Sequence, residues 1–291
     1  MKLTGRICLI SLCVFALCST LAAQQPPASP AAQPQAPAAK PQVPAVQAPV
    51  QDPENIDRMF SIGLYDWLPN GGPSLNGGVK TATPADHELG LSKRPRRAYG
   101  VVFTIPTKGS TRLEFSYLTL NDSGPAKASR DLGFFGGIVP QSEPLFTEYS
   151  LRHYKLSWNY LSYPNPPQDA KFRVKTLWEF HYMQLKPTVI ETVTAPDFPL
   201  SESQKIILPA VGLGLEYVPS RHFRMEWRGS GMMLPKHSGI GDSEASMVGR
   251  LGRLEIFAGG KLLYFRTSPQ QETYMRGMLW GPYGGLRWVF R

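Results

Sequence analysis

Residues 97–122, RAYGVVFTIPTKGSTRLEFSYLTLND, hold two runs in which bulky side chains alternate with small or polar ones. Tyr99, Val101, Phe103 and Ile105 share one face of the first run, and Leu113, Phe115 and Tyr117 share one face of the second. Gly100, Thr104, Arg112, Glu114 and Ser116 fall on the opposite faces. A period of two belongs to extended chain, whose successive side chains point to opposite sides. The stretch therefore predicts a β-hairpin closed by PTKGS.

The alternation recurs to the C-terminus, and no segment after residue 54 carries a helical period. A strand is predicted near 57–68, with Phe60, Ile62 and Leu64 on one face. Near 148–162, Tyr154, Leu156, Trp158 and Tyr160 oppose His153, Lys155, Ser157 and Asn159. Near 171–185, Phe172, Val174, Trp178, Phe180 and Tyr182 oppose Arg173, Lys175, Glu179 and His181. Near 206–218, Val211, Leu213, Leu215 and Tyr217 oppose Gly212, Gly214 and Glu216. Near 222–233, Phe223, Met225 and Trp227 oppose Arg224, Glu226 and Arg228. Two further strands are placed about a tight turn at Gly259–Gly260. That register sets Arg253 opposite Arg266 and Glu255 opposite Tyr264, and gathers Leu254, Ile256, Leu263 and Phe265 on the other face. A last strand runs out through GPYGGLRWVFR, with Arg287 on its polar face.

The connections alternate in length. Long segments at 69–96, 122–146, 186–205 and 235–246, and a shorter one near 268–273, are separated by PTKGS, YPNPPQD, VPSRH and AGG. Alternation by itself fits a soluble sandwich with its bulky faces inside. It equally fits a closed barrel with those faces turned to lipid and the charges turned to the lumen. Two features favour the barrel. Tyr99, Tyr117, Tyr160, Phe172, Tyr217, Phe223, Trp288 and Phe290 stand near strand ends on the bulky faces, where a membrane barrel carries its aromatic girdles. The polar faces also mix signs, with Arg112 near Glu114, Glu216 opposite Arg224, and Glu226 near Arg228. The expected fold is all-β: a closed antiparallel up-and-down transmembrane barrel of about ten strands, within roughly eight to twelve.

The N-terminus adds the compartment. Lys2 and Arg6 precede the apolar run ICLISLCVFALC, which is too short to span a bilayer, and small residues follow it. Residues 1–23 read as a secretory signal cut after Ala22 or Ala23. Cys18 follows FAL, not the small residue that a lipoprotein signal places before its cysteine. The three cysteines, Cys8, Cys13 and Cys18, all lie in this leader, so the mature chain has no disulfide, thiolate metal site or cysteine nucleophile. Residues 24–54 are rich in Pro, Ala and Gln and cannot bury a core; they read as a disordered periplasmic linker. Residues 55–291 form the barrel domain. Loss of Lys2 and Arg6 takes the formal charge from +9 to +7. Nothing resembles a nucleic-acid motif, so the basic balance points to anionic lipid head groups or lipopolysaccharide phosphates.

The leader, the loop alternation and the C-terminal LRWVF resemble the small outer-membrane β-barrel proteins of Gram-negative bacteria, over about residues 57–291. The resemblance is architectural and points to no subfamily. It implies recognition of the last strand by the insertion machinery, which reads a terminal aromatic residue; here Phe290 is followed by Arg291.

The expected lumen network comprises Arg112, Glu114, His153, Lys155, Arg173, Lys175, Glu179, His181, Glu216, Arg224, Glu226, Arg228, Arg253, Glu255, Arg266 and Arg287. Buried charges must pair or meet water, so acids held by Arg in cross-strand bridges, with a surplus of bases, are expected. Ser157, His153 and Glu179 on inward faces also suit a hydrolase, whose hydroxyl needs a base and an orienting carboxylate. Asp86–His87 is a faint match to the acid and His residues of ten-stranded outer-membrane proteases. His87, His237 and Asp242 have no recognised metal-ligand spacing, and no metal or cofactor is expected. DLGFFGGIVP, 131–140, is an apolar loop tip that suits a partner, a lid or a strand extension. The expected role is structural or interaction-based, with a narrow lumen of at most slight, anion-favouring permeability. A barrel hydrolase acting on lipid or peptide and an anion-selective small-solute pore are the alternatives. The linker at 24–54 is expected to reach toward the cell wall.

Overall fold

The structure is a computed structural model that describes residues 59–76, 88–91, 97–107, 111–127, 132–134, 137–139, 144–162, 171–191, 200–235, 237–269 and 273–290. The leader, the linker and the Asp86–His87 pair lie outside the described residues. Ten antiparallel strands close into a barrel: β1 Ser61–Trp67, β2 Ala98–Pro106, β3 Thr111–Lys127, β4 Pro144–Ser162, β5 Phe172–Glu191, β6 Gln204–Ser220, β7 Phe223–Met233, β8 Gly239–Leu251, β9 Leu254–Arg266 and β10 Tyr274–Val289. Each strand pairs with its neighbours in sequence. Closure comes from β10 on β1, with Ser61 opposite Val289 and Trp67 opposite Tyr283. A closed wall leaves no unpaired edge, which is what a β-wall needs if its outer face is to be apolar.

One end, the turn end, carries the connections 107–110, 163–171, 221–222 and 252–253. The other, the loop end, carries 68–97, 128–143, 192–203, 234–238 and 267–273, of which the first three are the longest in the wall. Both barrel termini lie at the turn end, because Ser61 and Val289 are paired. The first long connection prolongs the wall: Pro73–Asn76 pairs with β10, and Glu88–Gly90 pairs with Pro73–Asn76. Leu132–Phe134 and Gly137–Val139, in the apolar loop tip, pair with each other as a separate two-stranded sheet and not with the barrel.

The expected turn at Gly259–Gly260 is wrong. Those residues lie inside β9, opposite Ser246 and Ala245 of β8. The hairpin turns instead at Gly252–Arg253, where Gly252 has φ +63, a left-handed conformation that glycine adopts without steric cost. Gly259 meets a different need, close approach of backbone: a Cβ there would sit 1.9 Å from the Ala245 carbonyl oxygen, whereas one on Gly260 would meet nothing within 4 Å. Moving the turn reverses the faces of the residues that follow Gly260. Leu254 and Ile256 stay outside, while Leu263 and Phe265 are fully buried inside. The predicted eighth strand is replaced by β8, which lies largely within the segment expected to be loop 235–246 and the chain after it. Gly259→Ala is expected to destabilise the barrel by about 1–3 kcal/mol through overpacking, while Gly260→Ala stays near neutral. Urea unfolding of the two variants checks the difference, and equal effects would contradict the interior placement of Gly259.

Outside, the wall is apolar: Leu64, Trp158, Trp178, Val211, Met247 and Trp280 are each more than half exposed. Inside, two storeys differ in chemistry. The loop-end storey is an apolar cap in which Trp67, Leu75, Leu89, Leu118, Leu151, Met183, Leu185, Ile206, Leu263, Phe265 and Leu279 pack together, nearly all at zero exposure. The storey toward the turns holds the charges.

Candidate functional site: the charged lumen

Inward charges come from alternate residues of eight different strands, so each is fixed in height by strand register. In the middle layer a chain of ion pairs crosses the barrel. Glu114 on β3 pairs with Arg228 on β7, and Arg228 also bonds Glu244 on β8 through Nε at 2.8 Å and Nη2 at 2.7 Å. Glu244 pairs with Lys261 on β9; Lys261 reaches Asp242 at 3.1 Å, and Asp242 accepts from Lys155 on β4 at 2.6 Å. Lys155, Asp242 and Lys261 have side chains no more than 4% exposed. At that depth single charges would be costly, and the alternation of signs offsets the desolvation.

Beside this chain, Ser157 Oγ lies 3.0 Å from Glu179 Oε1 and 2.6 Å from Asn159 Oδ1. Glu179 is 3.1 Å from His181 Nε2, and His181 Nδ1 is 2.9 Å from His153 Nε2. The imidazole rings stack at 5.2 Å, and Ser230 donates to the same carboxylate. A serine nucleophile needs a histidine on its hydroxyl. Here the hydroxyl meets the carboxylate, and the histidines sit on the far side of it. Ser157 and His181 have no exposed surface on which a substrate could rest.

The lower layer is nearer the turns. Glu255, at zero exposure, accepts from both Arg224 terminal nitrogens at 2.6 and 2.8 Å, and from Arg287 at 3.3 Å. This fork-on-carboxylate geometry is the strongest form of the pair. Arg224 also pairs with Glu226, and Glu216 pairs with Lys175, with Arg173 at 3.9 Å.

The structure thus places Arg112, Glu114, His153, Lys155, Arg173, Lys175, Glu179, His181, Glu216, Arg224, Glu226, Arg228, Glu255 and Arg287 on inward faces. Two expected members lie elsewhere. Arg253 is an exposed turn residue, and Arg266 is on the outer face with its guanidinium 4.9 Å above the Tyr274 ring. Both misplacements follow from centring the hairpin on Gly259–Gly260. Partners differ too: Glu216 stands opposite Glu226, not Arg224, and Arg228 bridges to Glu114 and Glu244, not to its own-strand neighbour Glu226. Asp242, Glu244 and Lys261 went unrecognised because their strands were read as loop or placed out of register. With them included, the middle layer holds as many acids as bases or more; the basic surplus is confined to the turn end. Asp242 is committed to two lysines and His237 is exposed, so these two do not form a ligand set.

Of the expected girdle, Tyr160, Phe172, Tyr217, Phe223, Trp288 and Phe290 all stand at the turn end of their strands. Phe60 and Phe290 are in contact there, with centroids 5.2 Å apart. Tyr99 is at the loop end of β2. Tyr117 lies mid-wall, in an outer row with Tyr154 and Tyr182 at centroid spacings of 4.8 and 5.8 Å.

This wall can be compared with known ones. The outer membrane protease OmpT from Escherichia coli superposes with a TM-score of 0.54 at 8% identity, over 80% of this chain and 97% of that one. The chain shares the closed β-barrel fold of that outer membrane protein. Ail, the attachment invasion locus protein of Yersinia pestis, aligns at 11% identity over 78% and 96% of the two chains, with a TM-score of 0.29. The Pseudomonas putida toluene transporter TodX aligns at 7% over 82% and 92%, with a TM-score of 0.32. No family model matches the chain, and no curated protein matches it. Likeness at this identity extends to the barrel alone, so its role has to be argued from its own interior.

Proposed function

We propose that the protein resides in the outer membrane as a sealed barrel with a structural or docking role. The observation that carries the reading is the two-storey interior. A cap of fully buried apolar side chains lies over a lattice of ion pairs joining opposite walls. Water and ions passing through would have to cross both layers. Barrels of this strand number are narrow enough for side chains to fill. The enzyme reading is weaker, because Ser157 meets Glu179 and Asn159 and no histidine. The anion-pore reading needs an open path, and the buried apolar cap argues against one.

Membrane residence is supported by the band of exposed Trp, Leu, Val and Met on the outer wall, flanked at the turn end by aromatic rings. Outer-membrane lipid and lipopolysaccharide are then the partners of the wall. The insertion machinery is the partner of the C-terminal strand. The chain should fractionate with the outer membrane and change its gel migration on heating; recovery as a soluble periplasmic protein would contradict the reading.

A further inference from the structure

The strands β3, β4 and β5 run for 17, 19 and 20 residues, about twice what a tilted strand needs to cross a bilayer. Their outer face changes character at the row Tyr117, Tyr154 and Tyr182. Toward the turns the next outward rows are Phe115, Leu156 and Phe180, then Leu113, Trp158 and Trp178. Toward the loops the next row is Thr119, Arg152, Gln184 and Lys205, register partners on β3 to β6, followed by Asn121, Ser150 and Lys186. Tyr182 is ten residues from Phe172, at the turn end of β5. At about 3.3 Å per residue and a tilt of about 40°, ten residues rise about 25 Å, the height of the apolar band of membrane barrels. On the membrane reading, the tyrosine row is the loop-end boundary of that band, and the three strands continue past it into water.

Arg152, Lys186 and Lys205 are exposed directly above this boundary. Arg152 and Lys205 flank Gln184, so at a strand spacing of about 4.8 Å their backbones lie about 10 Å apart. Lys186 is the next outward residue after Gln184. Other charges of this face stand farther from the band: Glu148 is the outward residue beyond Ser150, Glu202 lies just before β6, and Lys127 ends β3. Toward the loop end of β9 and β10, by contrast, the outward bases are engaged. Arg276 pairs with Glu88, and Arg266 lies over the Tyr274 ring.

We propose that this patch on β4 to β6 is a docking site for a phosphorylated lipid of the outer leaflet. Its phosphate oxygens accept from the Arg152 guanidinium and the Lys186 and Lys205 ammonium groups, and its acyl chains lie down the wall against Tyr154, Tyr182, Leu156 and Phe180. The order of the surface selects this occupant. A soluble anion would use the bases and leave the aromatic row bare, and a purely apolar partner would use the rings and leave the charges bare. A phosphate joined to acyl chains meets both in the sequence in which the wall presents them. The aliphatic stems of the three bases add contact with the chains. The proposal rests on the membrane reading and adds to it the place on the wall where one lipid is held and the residues that hold it.

The probe is lipopolysaccharide with its phosphates intact, dispersed in zwitterionic detergent and titrated calorimetrically at constant ionic strength into the full chain folded in the same detergent. Saturable binding is expected. The double variant Arg152→Gln, Lys205→Gln should weaken it about tenfold or more. The double variant Arg221→Gln, Arg253→Gln removes the same charge from the turn end and should leave binding unchanged. All four positions are exposed, so both chains should keep the heat-modifiable migration of the parent. Lipopolysaccharide stripped of its phosphates should bind the parent about as weakly as the intact lipid binds the Arg152→Gln, Lys205→Gln chain. Polyglutamate, the acidic-peptide probe, should not displace the lipid. The proposal is overturned if binding does not saturate, if the two double variants bind alike, if removing the phosphates changes nothing, or if polyglutamate displaces the lipid, which would assign the patch to an acidic protein. Each of these outcomes is read on a folded barrel in detergent. The membrane reading fails instead by recovery of the chain from the periplasm, so the two failures are told apart.

Discussion

Replacing Asp242 with leucine should destabilise the barrel by about 3–5 kcal/mol, the cost of breaking a buried pair from one side. Lys155 and Lys261 converge on this carboxylate at 2.6 and 3.1 Å, both essentially without solvent. Without it, Glu244, which also holds Arg228, is left to serve the two ammonium groups. The large effect is expected to come from the stranded lysines and not from the absent acid. A second substitution, Lys155→Met, should therefore restore much of the loss. It removes the least supported charge and extends the apolar cap downward from Ile240 and Leu263, which flank this level. Unfolding in urea with detergent or lipid present measures both variants. A loss of about 1 kcal/mol or less for Asp242→Leu, the value of an exposed pair, would mean that water reaches the lattice.

The outer wall gives the second large effect. Leu213 is 47% exposed, on the outer face of β6, midway between its turn end and the level where the apolar cap begins. On a soluble protein, Leu213→Arg would be near neutral, since surface changes of this kind stay within about 0.5 kcal/mol. Against lipid it should cost about 2–4 kcal/mol, as basic residues do at the midplane of such barrels. Unfolding from lipid vesicles, compared with the reverse change at the exposed turn residue Arg221 (Arg221→Leu, expected near neutral), separates the two environments. A neutral Leu213→Arg would remove the physical case for lipid contact.

The barrel was legible in the sequence because alternation is a local property. Tyr154, Leu156, Trp158 and Tyr160 against His153, Lys155, Ser157 and Asn159 fix the two faces of β4 with no knowledge of its neighbours. Strand number and closure followed from counting such runs and from the short and long connections between them. The error at β8 and β9 had a specific cause. Gly259–Gly260 satisfies the chemistry of a tight turn, yet one of those glycines is there because backbone crowds backbone across the sheet. Sequence distinguishes these two uses of glycine poorly, and one wrong turn reversed the faces of Leu263, Phe265 and Arg266.

The cap was illegible for a different reason. Leu118 and Leu120 share the face of Arg112 and Glu114, and Leu151 shares that of His153 and Lys155. The inward face changes from charged to apolar partway along each strand, a change of height that a period of two does not register. Partner choice was equally hidden: Glu114 and Arg228 meet across the lumen from strands four apart in the wall, a distance set by closure of the whole sheet. The sequence reading supplied most of the charges, and the closed barrel determined which of them meet.

Sealing is the central claim, and electrical recording in a planar lipid bilayer tests it most directly. The purified chain, inserted and verified by its heat-modifiable migration, should give no steady conductance above that of the bare bilayer, because the apolar cap and the cross-lumen ion pairs close the path in series. Steady single-channel currents, whether selective for anions or for cations, would contradict it.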